Sequence, residues 1–363
     1  MNPAAWPAAA QLLLAFAAGT ATVTGFAPFG LGIVPILSLA LLFYLWRHPA
    51  RDGLNGWTGY AFGLGLMGFG VFWIRVSIAQ FGGVPMALAV SVTLLFILFM
   101  ASYYALAGWL SQRLRGGSDG VWLVLVLPAV WGLGEWLRGW LFTGFPWLSL
   151  GYGQIDGPLS GWAPIGGVYA VSLVTAAIAG GLALLLLGTA TRERAGAVAA
   201  LLLLAVSSFL LLDRAWTQAS GEPVRVALVQ GSISQDRKWL PEQRRPTMRR
   251  YEELTFSQRD AELVIWPEVA IPAMRYQVDA WLDALNERTR RAGISLLLGI
   301  LVDDFDNDQF YNSLISSGEA EGVYHKRHLV PFGEFFPVPP FIRNWMRLMS
   351  LPYRDTAHGE RDQ

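Results

Sequence analysis

The sequence predicts a multi-span α-helical membrane domain followed by an α/β domain, on three observations. Hydrophobic residues fill 53% of the 363 positions and charged residues only 15%, against roughly 25% charged in an ordinary soluble protein. Up to about Asp213 the chain is a series of apolar runs, each near the ~20 residues needed to cross a bilayer. From residue 222 onward it changes to short apolar strands alternating with charged helices. The expected domains are therefore 1–213, with seven spans, and 222–363.

The runs lie at roughly 8–25, 30–46, 55–77, 86–110, 121–138, 164–188 and 196–212. The second is short, and the first carries Thr20, Thr22 and Thr24. The first also lacks a basic leader and a well-placed small-residue cleavage site, so it reads as a retained helix. Arg47 and Arg51, Arg113 and Arg115, and Arg192 and Arg194 fall in alternate loops, whereas 78–85 and 139–163 have no Lys or Arg apart from the helix-end Arg75 and Arg138 that flank them. The positive-inside rule then places the N-terminus in the cytoplasm and residues 222–363 on the outer side.

The outer loop GWLFTGFPWLSLGYGQIDGPLSGWAP (139–164) is uncharged except for Asp156 and rich in Trp, Phe, Gly and Pro. Two readings stand: an interfacial aromatic belt, or a vestibule where Phe145 and Trp147 admit an acyl chain. Arg75 and Arg138, at the outer ends of spans three and five, either snorkel to the interface or hold lipid phosphate.

In the second part, EPVRVALVQGSI reads as a strand with Val224, Val226 and Leu228 on one face, and WLPEQRRPTMRRYEELTFSQ as an amphipathic helix kinked or broken near Pro246. ELVIWPEVAIP is a buried strand running into a loop; VDAWLDALNERTRRAG is a helix stopping at Gly293; ISLLLGILVDD is a strand; and YNSLISSGEAEGVYHKRHLVPF is a hairpin. This order suggests central strands covered by helices. Zero net charge argues against a nucleic-acid partner. No cysteine excludes disulfides and thiol chemistry within these residues, and the four histidines show no metal-ligand spacing; neither metal nor cofactor is expected.

Four residues are candidates for chemistry. Glu268 stands at the end of the strand VIW, where α/β sheets present reactive groups. Burial behind Trp266 and Pro267 would raise its pKa and suit a general base; the alternative is a solvated loop carboxylate. Lys326 is one of only two lysines, with Lys238, against 25 arginines. An ammonium beside a developing oxyanion stabilises acyl transfer; otherwise it is a surface cation in HKRH. Glu334, eight residues on, would orient Lys326 or take part itself. Trp239 either staples a helix start or walls an acyl or peptide pocket.

The motifs WPE-x-A-x-P (266–272), YNS (311–313) and K-x-H-L-V-P-F-G-E (326–334) resemble the nitrilase superfamily. With seven preceding spans, FPWLSLGYGQ (145–154) and QGxIxQxxKW (230–239), the resemblance narrows to the apolipoprotein N-acyltransferases of the bacterial inner membrane. It implies a periplasmic nitrilase-like αββα domain that moves an acyl chain from a membrane phospholipid to the α-amino group of a diacylglyceryl-cysteine apolipoprotein. Carried over by motif, Glu268 is the general base, Lys326 the oxyanion-stabilising lysine, Glu334 a supporting acid and Trp239 a functionally important Trp. The superfamily's triad is Glu-Lys-Cys, and this chain ends at Gln363 with no Cys. The expectation is a truncated nitrilase-like domain, inactive alone, with an uncovered apolar layer. The competing readings are a catalytically inactive membrane protein that binds lipid or lipoprotein, a membrane-tethered amidase, and a transporter. Glu135 is almost alone as an ionisable group within a span, which weakens the last. A monomer is the default expectation.

Overall fold

The computed structural model describes residues 6–82, 84–187, 191–258, 260–307, 309–318, 321–330, 334–335 and 356–363. The chain divides into two compact units, Met1–Gln218 and Ala219–Gln363.

Every apolar run of the first unit is helical: α1 (Ala8–Thr22), α2 (Ile33–Arg47), α3 (Leu54–Gly70), α4 (Ile74–Gly82), α5 (Met86–Arg113), α6 (Asp119–Val121), α7 (Leu127–Trp140), α8 (Ala163–Leu186) and α9 (Thr191–Leu212). A π-helical turn, Trp122–Val126, joins α6 to α7. Among the described residues five helices are long and apolar enough to cross a membrane, and α2, with 15 residues, is shorter. The third run is not one straight helix: α3 and α4 are bent by 50°. Arg75 sits at this break, and both its backbone N–H (3.4 Å) and its guanidinium (2.6 Å) donate to the Phe72 carbonyl, which keeps the irregular backbone satisfied.

Lipid is as apolar as leucine, so these helices associate through close packing and hydrogen bonds. A Cβ at Gly59 would stand 2.2 Å from the Tyr104 carbonyl oxygen, and one at Gly108 2.1 Å from that of Asn55. Glycine at both positions lets α3 and α5 meet backbone to backbone. Asn55 Nδ2 donates to the Trp46 carbonyl (3.0 Å) and Trp122 Nε1 to that of Ser111 (3.0 Å).

Polar contacts gather the loops at two ends of this unit. At one end Gln11 Nε2 donates to His48 O (3.0 Å), Arg47 pairs with Asp119 (2.7 Å), and Arg115 donates to Arg47 O (3.2 Å). At the other, Gln154 Nε2 donates to Gly32 O (2.7 Å), and the rings of Trp73 and Trp147 lie 5.6 Å apart.

The second unit is a five-stranded sheet in sequence order: β1 (Val226–Leu228), β2 (Leu263–Ile265), β3 (Ser295–Asp304), β4 (Gln309–Ser317) and β5 (Val323–His325). β1, β2 and β3 are parallel, β4 pairs antiparallel with β3, and β5 pairs antiparallel with β4 and so runs in the direction of β3. Residues 319–320 of the expected hairpin turn and 331–333 of the turn before Glu334 lie outside the described residues. A short helix α10 (Gln235–Lys238) precedes α11 (Pro241–Ser257), and α12 (Asp279–Ala292) connects β2 to β3. Alternation along β3 puts Leu296, Leu298 and Ile300 fully inside, in a core with Tyr251, Trp266 and Leu285 from the flanking elements. Trp266 Nε1 is satisfied by Thr255 Oγ1 on α11 at 2.8 Å.

One expectation is corrected here. Pro246 does not break its helix, which is continuous from Pro241 to Ser257. The interruption falls at Trp239–Leu240, because Leu240 precedes Pro241 and takes an extended conformation (ψ 131). Val224, Val226 and Leu228 are all on the exposed side (60%, 49% and 79%), and Ala227 and Val229 are the residues of that segment packed in the core.

Candidate active site

Three parallel strands end on the same side, and Glu268 follows β2 there. Trp266 N–H continues the pairing to Leu297 O (2.9 Å) before the chain turns off at Pro267. The turn then lies directly on β3: a Cβ at Gly299 would meet Pro267 O and Val269 N at 2.5 Å and Glu268 Cα at 2.8 Å. Val269, immediately after the carboxylate, has φ +44. Such backbone strain in a non-glycine residue persists only where the surroundings over-determine it.

Lys326 follows β5, and its N–H bonds Asn312 O on β4 at 2.8 Å. Its ammonium lies between two carboxylates, 2.8 Å from Glu268 Oε1 and 3.0 Å from Glu334 Oε1. Asn312 Nδ2 donates to the same two oxygens, at 2.5 and 2.9 Å. Glu334 is held in turn by Val330 N–H, which donates to Oε2 at 2.7 Å. Glu268 and Glu334 are 66 residues apart in sequence and share one cation and one amide.

The expected rise in the Glu268 pKa is not what this geometry produces. Burial does work to raise it, but the hydrogen bond and charge of Lys326, the Asn312 amide and the charge of Lys238 outweigh burial and hold the carboxyl below its ordinary value. Trp266 and Pro267 do not enclose the group: its side chain is 61% exposed, against 27% for Lys326 and 16% for Glu334. Lys326 behaves in the complementary way. Burial would lower its pKa, and the bonds to Glu268 and Glu334 raise it. The ammonium is thus a fixed positive charge at neutral pH, which suits stabilisation of an oxyanion better than proton transfer.

Sequence spacing alone does not mark Asn312 or Lys238 as site residues. YNS was visible as a motif, yet a polar residue within a strand does not disclose its face until the register Leu301↔Asn312 is known. Lys238 is half-buried, which lowers its pKa, while the charge of Glu268 raises it; its rarity was the available signal. Trp239, 50% exposed, occupies the turn between α10 and α11.

In the membrane unit, Phe145 and Trp147 belong to one aromatic cluster, and Arg138 bonds the backbone of both. Phe145 packs edge-on against Phe96 (4.9 Å) and stacks on Trp147 (6.0 Å), which meets Trp73. Arg75 covers the Phe72 ring at 4.2 Å. Arg138 does not snorkel: it is 1% exposed, and its guanidinium donates to Phe145 O (2.7 Å), Trp147 O (2.5 Å) and Ser149 Oγ (3.1 Å). A buried guanidinium needs such partners, so its donors face loop carbonyls rather than a phosphate.

A helical membrane unit joined to a sheet whose strand ends carry a Glu–Lys–Glu cluster defines a membrane-anchored protein of the carbon-nitrogen hydrolase class. Residues 225–351 match the family described as Carbon-nitrogen hydrolase, and residues 18–181 match the Apolipoprotein N-acyltransferase N-terminal domain. Proteins named apolipoprotein N-acyltransferase from Methylococcus capsulatus, Nitrosomonas europaea and Pseudomonas putida are 41%, 39% and 38% identical to this chain over 358, 356 and 356 residues. Those alignments cover 97% of this chain and 70%, 71% and 70% of the respective relatives. The chain belongs to the apolipoprotein N-acyltransferase family.

Proposed function

We propose that this protein is a phospholipid-to-apolipoprotein N-acyltransferase in which Glu268 is the general base and Lys326 the oxyanion-stabilising cation. The observation that carries the assignment of roles is the Lys326 ammonium held by Glu268 and Glu334 at 2.8 and 3.0 Å. In the reaction the family resemblance implies, a cysteine thiol gives its proton to Glu268 and its sulfur attacks the donor ester carbonyl. Lys326 takes up the charge that develops on the carbonyl oxygen, the lysophospholipid alkoxide leaves with a proton, and a thioester remains. The α-amino group of the diacylglyceryl-cysteine then attacks the thioester and releases the thiol. These 363 residues contain no cysteine; what they supply is the base, the cation, and the Glu334 and Asn312 groups that hold them.

Phe145 and Trp147 form the aromatic entrance for the donor's acyl chain, with Arg75 at its edge and Trp239 walling an acyl or peptide pocket. The basic loops 47–51 and 113–115 face the cytoplasm and residues 222–363 lie outside, in the inner membrane of a bacterium. The clustering of Arg47, Arg115 and the α1 end on one side of the membrane unit supports this orientation. The protein acts as a monomer.

The test is Lys326→Arg in protein expressed at its natural length, assayed for transfer of a labelled acyl chain from phospholipid to a diacylglyceryl-cysteine peptide. A planar guanidinium places its charge differently from a compact ammonium, and transfer is expected to be lost. Near-normal turnover would overturn the role of Lys326. Cleavage of simple amides in place of lipid-dependent transfer would instead favour a membrane-tethered amidase.

A further inference from the structure

Glu135 and Arg138 are three residues apart on α7, and therefore lie on one face of it. They are 3% and 1% exposed in a helix apolar enough to cross a membrane. Charged groups at such depth are costly and need specific partners. Apart from Trp131 of the same helix, whose Nε1 donates to Glu135 Oε1 at 2.9 Å, their side-chain partners among the described residues all belong to one short loop. Arg138 takes the carbonyls of Phe145 and Trp147 and the Ser149 hydroxyl. Glu135 Oε1 accepts from Leu150 N–H at 2.9 Å. Phe145 N–H closes the loop on Arg138 O at 2.8 Å.

That loop is strained. Phe142, Thr143 and Leu148 have φ of +55, +74 and +60, and Gly144 between them has φ +80. Three non-glycine residues in the left-handed region within seven positions do not persist without external restraint. The loop also presents large apolar side chains outward, with Phe142 73% and Trp147 49% exposed. Apolar residues of matched volume commonly replace buried charges without loss of stability, so stability alone is a weak reason for two of them here.

The clamp has a third component. Glu135 Oε2 and the Tyr104 hydroxyl are buried without a hydrogen-bond partner among the described residues. Both residues line one cavity of about 10 Å³, together with Trp131 and Arg138. That is the space of a single water molecule, with polar groups to hold it.

We infer that Glu135 and Arg138 are positioning residues for the donor lipid: they hold the 142–150 loop in the strained shape that presents Phe145 and Trp147 to the acyl chain. The inference rests on the proposed acyltransferase function and on the reading of Phe145 and Trp147 as donor-binding.

The experiment measures steady-state transfer by the natural-length protein in lipid nanodiscs, varying donor phospholipid and acceptor peptide separately. The variants are Arg138→Lys, Glu135→Leu and Glu135→Gln, and amide exchange is followed at 145–151. Arg138→Lys and Glu135→Leu are expected to raise the donor KM about tenfold, from the loss of one or two charged hydrogen bonds. The acceptor KM stays within about twofold and the loop amides exchange faster. Glu135→Gln keeps an acceptor for Leu150 and Trp131 and is expected to restore donor KM and exchange. Donor KM unchanged in every variant overturns the inference, as does an equal fall in kcat with neither KM moved, which a purely structural support would give. If Glu135→Leu does not fold, Arg138→Lys carries the comparison. Wild-type protein that transfers no acyl chain refutes the functional reading and this inference with it; wild-type transfer with an unmoved donor KM refutes the inference alone.

Discussion

Gly299→Ala adds one methyl group beneath the turn that carries Glu268. The new Cβ would stand 2.5 Å from Pro267 O and Val269 N, where ordinary contact begins at 3.4 Å. Both obstructing atoms are backbone, so no side chain can swing aside, and the turn must retreat by about 0.9 Å. A shift of that size stretches the 2.8 Å contact between Glu268 and Lys326 toward about 3.7 Å, beyond hydrogen-bonding distance. Misplacement of a reacting group by about 1 Å can lower the rate roughly 100-fold, and overpacking of this kind costs about 1–3 kcal/mol of stability. The expected result is a kcat/KM for acyl transfer reduced about 100-fold in protein that remains folded at the assay temperature. Thermal unfolding measured alongside separates the two effects. Should Gly299→Ala turn over within about threefold of wild type, β3 does not set the position of Glu268 and the reasoning fails.

Asn312→Asp replaces a shared donor with a third carboxylate around Lys326, and acyl transfer is expected to fall at least about tenfold at neutral pH; Asn312→Gln with unchanged kinetics would show that amide placement is unimportant. The Glu268 pKa is lowered in the folded state, so its contribution to stability is present above the usual carboxylate range and disappears as pH falls through the lowered value. That of Lys326, whose pKa is raised, is present below the usual lysine value and lost as pH rises through the raised one. Melting temperature followed from pH 3 to 7 should show a small acid-dependent loss in wild type that is absent in Glu268→Gln, small because the carboxylate is largely solvated. An acid loss of equal size in both proteins would assign it to other groups. Trp266→Ala removes a side chain that is 2% exposed and bonded to Thr255, at an expected cost of about 3–5 kcal/mol. Chemical denaturation followed through a probe in the second unit reads it, and a change below about 1 kcal/mol would mean that α11 is held to the sheet by other contacts.

Much of the architecture follows from short-range information. Apolar runs of bilayer length become helices because water is absent to satisfy an open backbone, and arginines in alternate loops mark one side. The strand LVI, the helix capped by Gly293 and the strand SLLLGILVDD are likewise written in local periodicity. Motif spacing also named Glu268, Lys326 and Glu334. Local sequence cannot convey how charges separated by tens of residues perturb one another. Glu268 read as a carboxylate whose pKa burial would raise, because the cation that reverses the shift comes from position 326 and the amide from position 312, both delivered by strands paired across β3 and β4. Arg138 read as a helix-end cation that snorkels or holds lipid phosphate for the same reason: only the return of residues 145–149 onto α7 gives its guanidinium carbonyls to bond and so takes it out of water. Composition and pattern determined which segments are helix or strand; tertiary structure decided which charges meet, since electrostatic shifts depend on distance through space and not on separation along the chain.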